Sequence, residues 1–296
     1  MSKTVAVFGA TGTSGGAAMR HLIAAGFHVR AVTRNPDSDA ARHAASFGAV
    51  PVAGDLNDRA SIRNAIQGAD AVYYVGTSAE NRWDIGQAVQ GINAVDAAIE
   101  VGIQHYVFQS ALVADARGVL IMGSKRAIEE RLAELPLRTT ILRPGFFMEN
   151  LLRFFAPVEK DGKLVFAIPI PPEKENGLIA AEDIGKAAAA VISDPDRYAG
   201  AEIKLVSDVG SPSQMTRILG EEMGCEASTV YIPLDDIKRD WPQGVDDIHW
   251  LSTRTTKDNS AELTALIGKT TSFREWTREI FIPFFKRLNG ETNEPA

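Results

Sequence analysis

Short β-branched and aromatic runs alternate with amphipathic stretches along the first 145 residues. "TVAVFG" opens at residue 4, and "SGGAAMRHLIAAG" follows with apolar residues at helical spacing, ended by Gly26. The order then repeats as "HVRAVTR" and "DSDAARHAASFG", "AVPVAGD" and "DRASIRNAIQGA", "DAVYYVG" and a long helix over 84–100. "QHYVFQSA", a helix over 122–134 and "RTTILRPG" complete the series. Asn57 or Asp58 stands where a cap for the third helix is needed. Six strands alternating with helices through short connections predict an α/β fold: a doubly wound parallel sheet with helices on both faces and right-handed crossovers. Ligands of such sheets sit at the carboxyl ends of the strands, near the reversal of strand order.

Beyond Arg143 the alternation weakens. "FFMENLLRFFAPVEKDGKLVFAIPIPPEKENG" predicts a helix followed by a break at Pro169, Pro171 and Pro172. "AAEDIGKAAAAVISD" predicts a helix and "GAEIKLVSD" a strand that rejoins the sheet. "SPSQMTRILGEEMG" starts a helix capped by Ser211 or Ser213, and 234–288 reads as mostly helical, with Trp241, Trp250 and Trp276 as packing anchors. The expected organisation is a nucleotide-binding domain over 1–145 and a smaller, mainly helical lobe for substrate or partner over 146–296, interleaved with the sheet.

Composition narrows the classes of function. A formal charge of -7 argues against a general nucleic-acid binder, which needs a basic surface. The single cysteine, Cys225, cannot form an intramolecular disulfide or a cysteine-rich metal site. The five histidines (21, 28, 43, 105 and 249) fall in separate elements without ligand spacing, so no metal is expected. The apolar start before Gly9 is too short for a signal-peptide core and no 18-residue apolar run appears, so the expectation is a cytoplasmic protein with no membrane contact.

The chemistry concentrates at strand ends. Gly9, Gly12, Gly15 and Gly16 interrupt a strand-to-helix junction, although glycine is unfavourable inside either element. Gly9 permits a tight turn, Gly12 lets backbone approach a pyrophosphate, and Gly15 allows close helix–strand packing, with phosphates on the free amides of the helix. The spacing is G-x-x-G-x-x-G, and a plain tight turn is the alternative. "AVTRNPDS" ends the second strand with Arg34 where NAD-binding chains place a carboxylate, which points to the 2′-phosphate of NADP; a solvated arginine is the alternative. Asp37 lies three residues on, where it can cap a helix. Asp55 in "AGDLND" is placed either to accept from an adenine amino group or to serve a turn.

Taken in order, "VFGATGTSGG", "AVTRNP", "GDLND", "NAVDAAIEVGIQHYVFQSA", "LRPGFFMENL" and "AAEDIGKAA" resemble the NmrA-like family of atypical short-chain dehydrogenase relatives. "AELTALIGKTTSFREWTRE" resembles the family's last helical segment, so the resemblance spans nearly the whole chain. It implies a Rossmann-like NADP(H)-binding domain and a small C-terminal lobe. By resemblance, Gly9, Ala10, Thr11, Gly12, Thr13, Ser14, Gly15, Arg34, Asp55, Leu56, Gly76, Thr77, Ser78, Ser110, Lys125, Phe146, Phe147 and Met148 would line the cofactor.

Catalysis divides the reading. Short-chain dehydrogenases use Tyr-x-x-x-Lys; here Lys125 is preceded at that distance by Ile121, so the tyrosine is absent. Ser110 matches the superfamily's serine position. Lys125 resembles the lone lysine of isoflavone-reductase-like relatives, which implies an NADPH-dependent reductase with direct hydride transfer and Lys125 as the catalytic group that assists protonation. The alternative is a non-catalytic NADPH/NADP redox sensor that regulates a protein partner, with Lys125 only holding the cofactor. Phe146, Phe147, Phe154 and Phe155, with the prolines of this lobe, suit a flat apolar substrate such as a quinone or aromatic carbonyl, but an ordinary core accounts for them better.

Overall fold

A computed structural model describes residues 2–76, 85–112, 123–254 and 257–288. The chain runs β1 (Thr4–Phe8), α1 (Thr13–Ala24), β2 (His28–Thr33), α2 (Asp39–Ser46), β3 (Val50–Ala53), α3 (Arg59–Ile66), β4 (Ala71–Val75), α4 (Ile85–Glu100) and β5 (His105–Gln109). It continues through α5 (Gly123–Ala133), β6 (Thr139–Pro144), β7 (Phe146–Phe147), β8 (Val158–Lys160), β9 (Lys163–Ile168) and β10 (Asn176–Ile179). There follow α6 (Ala181–Ser193), α7 (Pro195–Tyr198), β11 (Glu202–Leu205), β12 (Asp208–Gly210), α8 (Pro212–Met223) and β13 (Ala227–Tyr231). The last elements are α9 (Leu234–Asp240), α10 (Val245–Thr253), α11 (Ser260–Ile267), α12 (Phe273–Trp276) and α13 (Ile282–Leu288).

Two compact units result: Met1–Pro144 with Ala181–Leu205, and Gly145–Ala180 with Val206–Ala296. The first holds a seven-stranded sheet in the order β11-β6-β5-β4-β1-β2-β3, parallel throughout. Strand order reverses between β1 and β4, the position at which open α/β sheets present ligand crevices. Helices cover both faces, so central strands such as "TVAVF" and "AVYYV" are nearly continuous apolar runs without alternation. On one face Phe8, Tyr74, Tyr106 and Phe108 form an aromatic cluster beneath residues of α3, α4 and α5. Elsewhere in this unit α1 and α6 pack closely, since a Cβ on Gly185 would stand 2.6 Å from the backbone of Ala17. Arg20 and His21 grip Glu182 there, and these hydrogen bonds, led by that of His21, hold its carboxyl down to about 2.

Local chemistry sets the helix starts. The Ser38 hydroxyl caps α2 by accepting from the Ala41 amide, so Asp37 is not the cap. Asp58 rather than Asn57 caps α3, and Ser211 rather than Ser213 caps α8 through a capping box with Gln214.

The second unit carries the helices α8–α13 and also two three-stranded sheets, β12-β10-β7 and β13-β9-β8. The helix expected after Arg143 is a 3₁₀ turn, Met148–Leu152, and the stretch beyond it forms the β8–β9 hairpin. Asp161 and Gly162, with φ of 53° and 74°, turn that hairpin; Asp-Gly is the dipeptide this tight turn favours. Trp276 is buried with Phe273, Phe281 and Phe166, and its indole N–H donates to Glu149 at 3.1 Å. Trp241 and Trp250 are only half-buried, so Trp276 alone of the three anchors a core. Among the described residues, no helix is long and apolar enough to cross a membrane.

Candidate functional site

The first turn after β1 is built from glycine's two properties. Gly9 adopts a φ of 72°, and a Cβ there would lie 2.7 Å from the Val75 side chain at the end of β4. A Cβ on Gly15 would stand 2.2 Å from the Gly9 carbonyl oxygen, so the first turn of α1 lies directly against the loop. The Gly12 amide donates to the Gly9 carbonyl at 2.9 Å, and Gly12 is the N-cap of α1. Gly12 has no side chain to cap with, and the first turn of α1 contains no acidic residue. The positive end of this helix is therefore not neutralised from within, unlike those of α2, α3 and α8. A Cβ at Gly12 would meet only the Gly9 oxygen, at 3.3 Å, and otherwise open space.

A cleft of about 140 Å³ adjoins this loop, lined by Gly9 and Thr11, by Thr33 at the end of β2 and Arg34 after it, by Gly54–Asn57 after β3, and by Gln90 of α4. The structure thus brings together Gly9, Thr11, Arg34, Asp55 and Leu56 from three separate loops. Ala10 is buried beneath the turn, while Thr13, Ser14 and Gly15 form the start of α1. The Asp55 carboxylate accepts from the Asn57 backbone amide at 2.9 Å and from its side-chain amide at 3.1 Å, so it does serve a turn. It also lines the cleft. Gln90 donates to Asn57 at 3.2 Å, and Asn93 to the Leu56 carbonyl at 3.0 Å, tying the loop after β3 to α4. Thr33, Asn57 and Gln90 are lining residues that the sequence reading missed. Thr33 and Asn57 adjoin recognised motifs, whereas nothing in the periodicity of α4 singles out Gln90.

A second cluster forms at the ends of β5 and β6. Ser110, buried, donates its hydroxyl to Glu129 of α5, and Arg143 of β6, also buried, pairs with the other carboxylate oxygen of Glu129 at 2.7 Å. Arg143 reaches Glu202 of β11 at 3.2 Å as well. Lys125, one helical turn before Glu129, places its ammonium over the Phe108 ring at 5.9 Å. Burial pushes the Lys125 amine down to about 8, opposed by the nearby Glu129 charge. The Lys125 side chain as a whole is half-buried.

Gly76 follows β4, facing Gln87 of α4. Thr77, Ser78 and Ile121 lie outside the described residues. Phe146, Phe147 and Met148 belong to the second unit. Phe146 stacks on Phe155 within that unit's core and Met148 is fully buried there, whereas Phe154 is exposed.

The model of the NmrA-like family matches residues 1–260. This chain belongs to the NmrA-like family. An NmrA-like family domain-containing oxidoreductase of a Cladobotryum species is 30% identical over 240 residues, which is 71% of this chain and 70% of that protein. The NADPH-dependent quinone oxidoreductase of Escherichia coli, solved with NADPH, superposes with a TM-score of 0.80 at 25% identity, covering 94% of this chain and 99% of the other. Nmra, a negative transcriptional regulator, shares the fold with a TM-score of 0.82 at 22% identity, covering 98% of each chain.

Proposed function

We propose that this NmrA-like chain binds NADP(H) across the ends of β1, β2 and β3 and is a reductase of a small aromatic carbonyl or quinone. The observation that carries the reading is the cleft at the uncapped start of α1, where Arg34 and Asp55 converge on one side of the Gly9–Gly15 loop. The residues fit the cofactor's chemistry. Gly12 leaves room for a pyrophosphate against the first-turn amides of α1, which favour an anion. Arg34 would hold the 2′-phosphate, a forked donor against a tetrahedral anion. The Asp55 oxygen not used in its turn is left to accept from the adenine amino group. Ser110 and Lys125 would stand at the nicotinamide end.

The bound cofactor supplies the hydride. Lys125 would donate the proton that accompanies it, since an amine titrating near 8 exchanges protons readily at neutral pH. With isoleucine in place of the superfamily's tyrosine, no phenol competes for that role. The quinone oxidoreductase among the structural relatives supports the substrate class.

One observation favours a second reading, a redox sensor that holds NADP(H) and reports its state to a protein partner. Ser110 donates its only hydroxyl proton inward to Glu129, so it has none to give a substrate oxygen. A single paired experiment separates the readings: calorimetric titration with NADPH and NADH, and NADPH oxidation across a panel of quinones and aromatic carbonyls. Tight NADPH binding with turnover supports the reductase, and tight binding without turnover supports the sensor. Absence of NADPH binding defeats both.

A further inference from the structure

Glu129 closes the Lys125–Glu129 stretch that carries the lysine and has no role in the reading of the cofactor motifs, yet it is where the second cluster meets. One carboxylate oxygen accepts the Ser110 hydroxyl and the other takes the Arg143 guanidinium at 2.7 Å. Phe108 and Ser110 lie two apart along the β5 direction and so share a face, and Lys125 rests on that face over the Phe108 ring. Lys125 and Glu129 are four apart on α5 and share its face as well. Ser110 has one proton to donate and has placed it on Glu129; its lone pairs remain. Lys125 has three protons and no lone pair when charged.

We propose that Glu129 is the positioning residue of this cluster, fixing Ser110 as its acceptor and keeping Lys125 charged as its donor. The carboxylate acts at two points at once. It sets the direction of the Ser110 hydroxyl, so that whatever enters beside Lys125 meets an oxygen acceptor from Ser110 and a cation from Lys125. It also supplies the negative charge that opposes the burial of the Lys125 amine. Arg143 moderates that charge through its pairing with Glu129 at 2.7 Å, a guanidinium it shares with Glu202 at 3.2 Å. Among the described residues, the charged groups of α4 are engaged elsewhere. Asp96 of α4 pairs with Arg59 and Arg131, and Glu100 of α4 pairs with Arg59 and Arg63. On α5 itself Arg126 and Glu130 flank the site, and Tyr74 of β4, beneath Phe108, is held neutral by burial. The identity of the entering ligand rests on the function proposed above; the coupling within the cluster does not.

The test reads Lys125 directly in the full-length protein without cofactor. Lysine labelled at Cε is followed by NMR across pH, with the Lys125 signal assigned by its loss in Lys125→Met. Glu129→Gln should lower the Lys125 midpoint by about one pH unit or more, the effect of removing an adjacent opposite charge. Glu129→Asp, which keeps the charge, should hold the midpoint close to wild type. Arg143→Gln should move it the opposite way, upward, by leaving the Glu129 charge less neutralised. An unchanged midpoint in Glu129→Gln, an equal fall in Glu129→Asp, or no rise in Arg143→Gln would each overturn the assignment. Failure of the wild type to bind NADPH would sink the proposed function and leave these midpoints untouched.

Discussion

The Nε2 atom of His105 lies 2.9 Å from the hydroxyl of Thr140, which itself donates to the Tyr198 carbonyl at 2.7 Å. Because the Thr140 proton is already given away, His105 must be the donor, which fixes the neutral imidazole with its proton on Nε2.

A pH dependence follows from that pair. Burial, reinforced by the positive charges of Arg138 and Lys3, pushes His105 down to about 4 from its ordinary 6.5. Below 6.5 the unfolded chain takes up a proton that the folded chain refuses. Stability should therefore fall as pH drops from about 6.5 to about 4, by on the order of 3 kcal/mol from this group. Urea denaturation at pH 7, 5.5 and 4.5 measures the slope, and His105→Gln should flatten it. Equal slopes in the two proteins would show that other groups control the acid limb.

Arg34, as the proposed holder of the 2′-phosphate, should set the cofactor preference. Wild-type protein should bind NADPH more tightly than NADH, and Arg34→Ala should erase most of the difference, a loss of about 1.5–3 kcal/mol for charge-assisted hydrogen bonds. Calorimetry with both cofactors gives the result. Equal wild-type affinities would remove the 2′-phosphate assignment.

Gly12 and Gly15 should fail in different ways. Gly12→Val places a branched side chain in open space beside the α1 start, so the apo fold should persist while NADPH binding collapses. Gly15→Ala drives a Cβ to 2.2 Å from the Gly9 oxygen, which requires the backbone to shift and should destabilise the fold by about 1–3 kcal/mol. Thermal melts with and without NADPH distinguish the two. Normal NADPH binding by Gly12→Val would contradict the phosphate cradle.

Lys125 decides between reductase and sensor. As a reductase, Lys125→Met should cut turnover by more than it weakens NADPH affinity. As a sensor, wild type should show no turnover, and the same substitution should mainly weaken binding. Robust turnover indifferent to Lys125→Met would reject the lysine as proton donor.

Sequence patterning was most informative where the chemistry is local. The Gly9–Gly15 turn and the alternation through β6 depend on neighbours within a few residues, and "GAEIKLVSD" reads as a strand because its β-branched run is short and flanked by glycine and aspartate. The β8–β9 hairpin was less visible, because a phenylalanine-rich stretch and three prolines surround the Asp161–Gly162 signal. β13 is short, largely exposed and paired in parallel with β9, some sixty residues away, so no local pattern announces it. Gln90 and Glu129 were hidden for a related reason. Each is a polar residue on an amphipathic helix, and only tertiary packing shows which loop or strand its side chain meets.

The return of the chain at Ala181–Leu205 has a consequence for synthesis on the ribosome. The edge strand β11, which pairs with β6, and the helix α6 against α1 are both encoded after the first segment of the second unit. When Pro144 has been made, the sheet still lacks an edge strand and one covering helix. At about 5–20 residues per second, roughly 3–12 s pass before Leu205 is available. During that interval β6 presents an unpaired edge. A nascent chain halted near residue 145 should therefore be protease-sensitive and a target for chaperones, and one extended past residue 205 should become resistant in the α1 region.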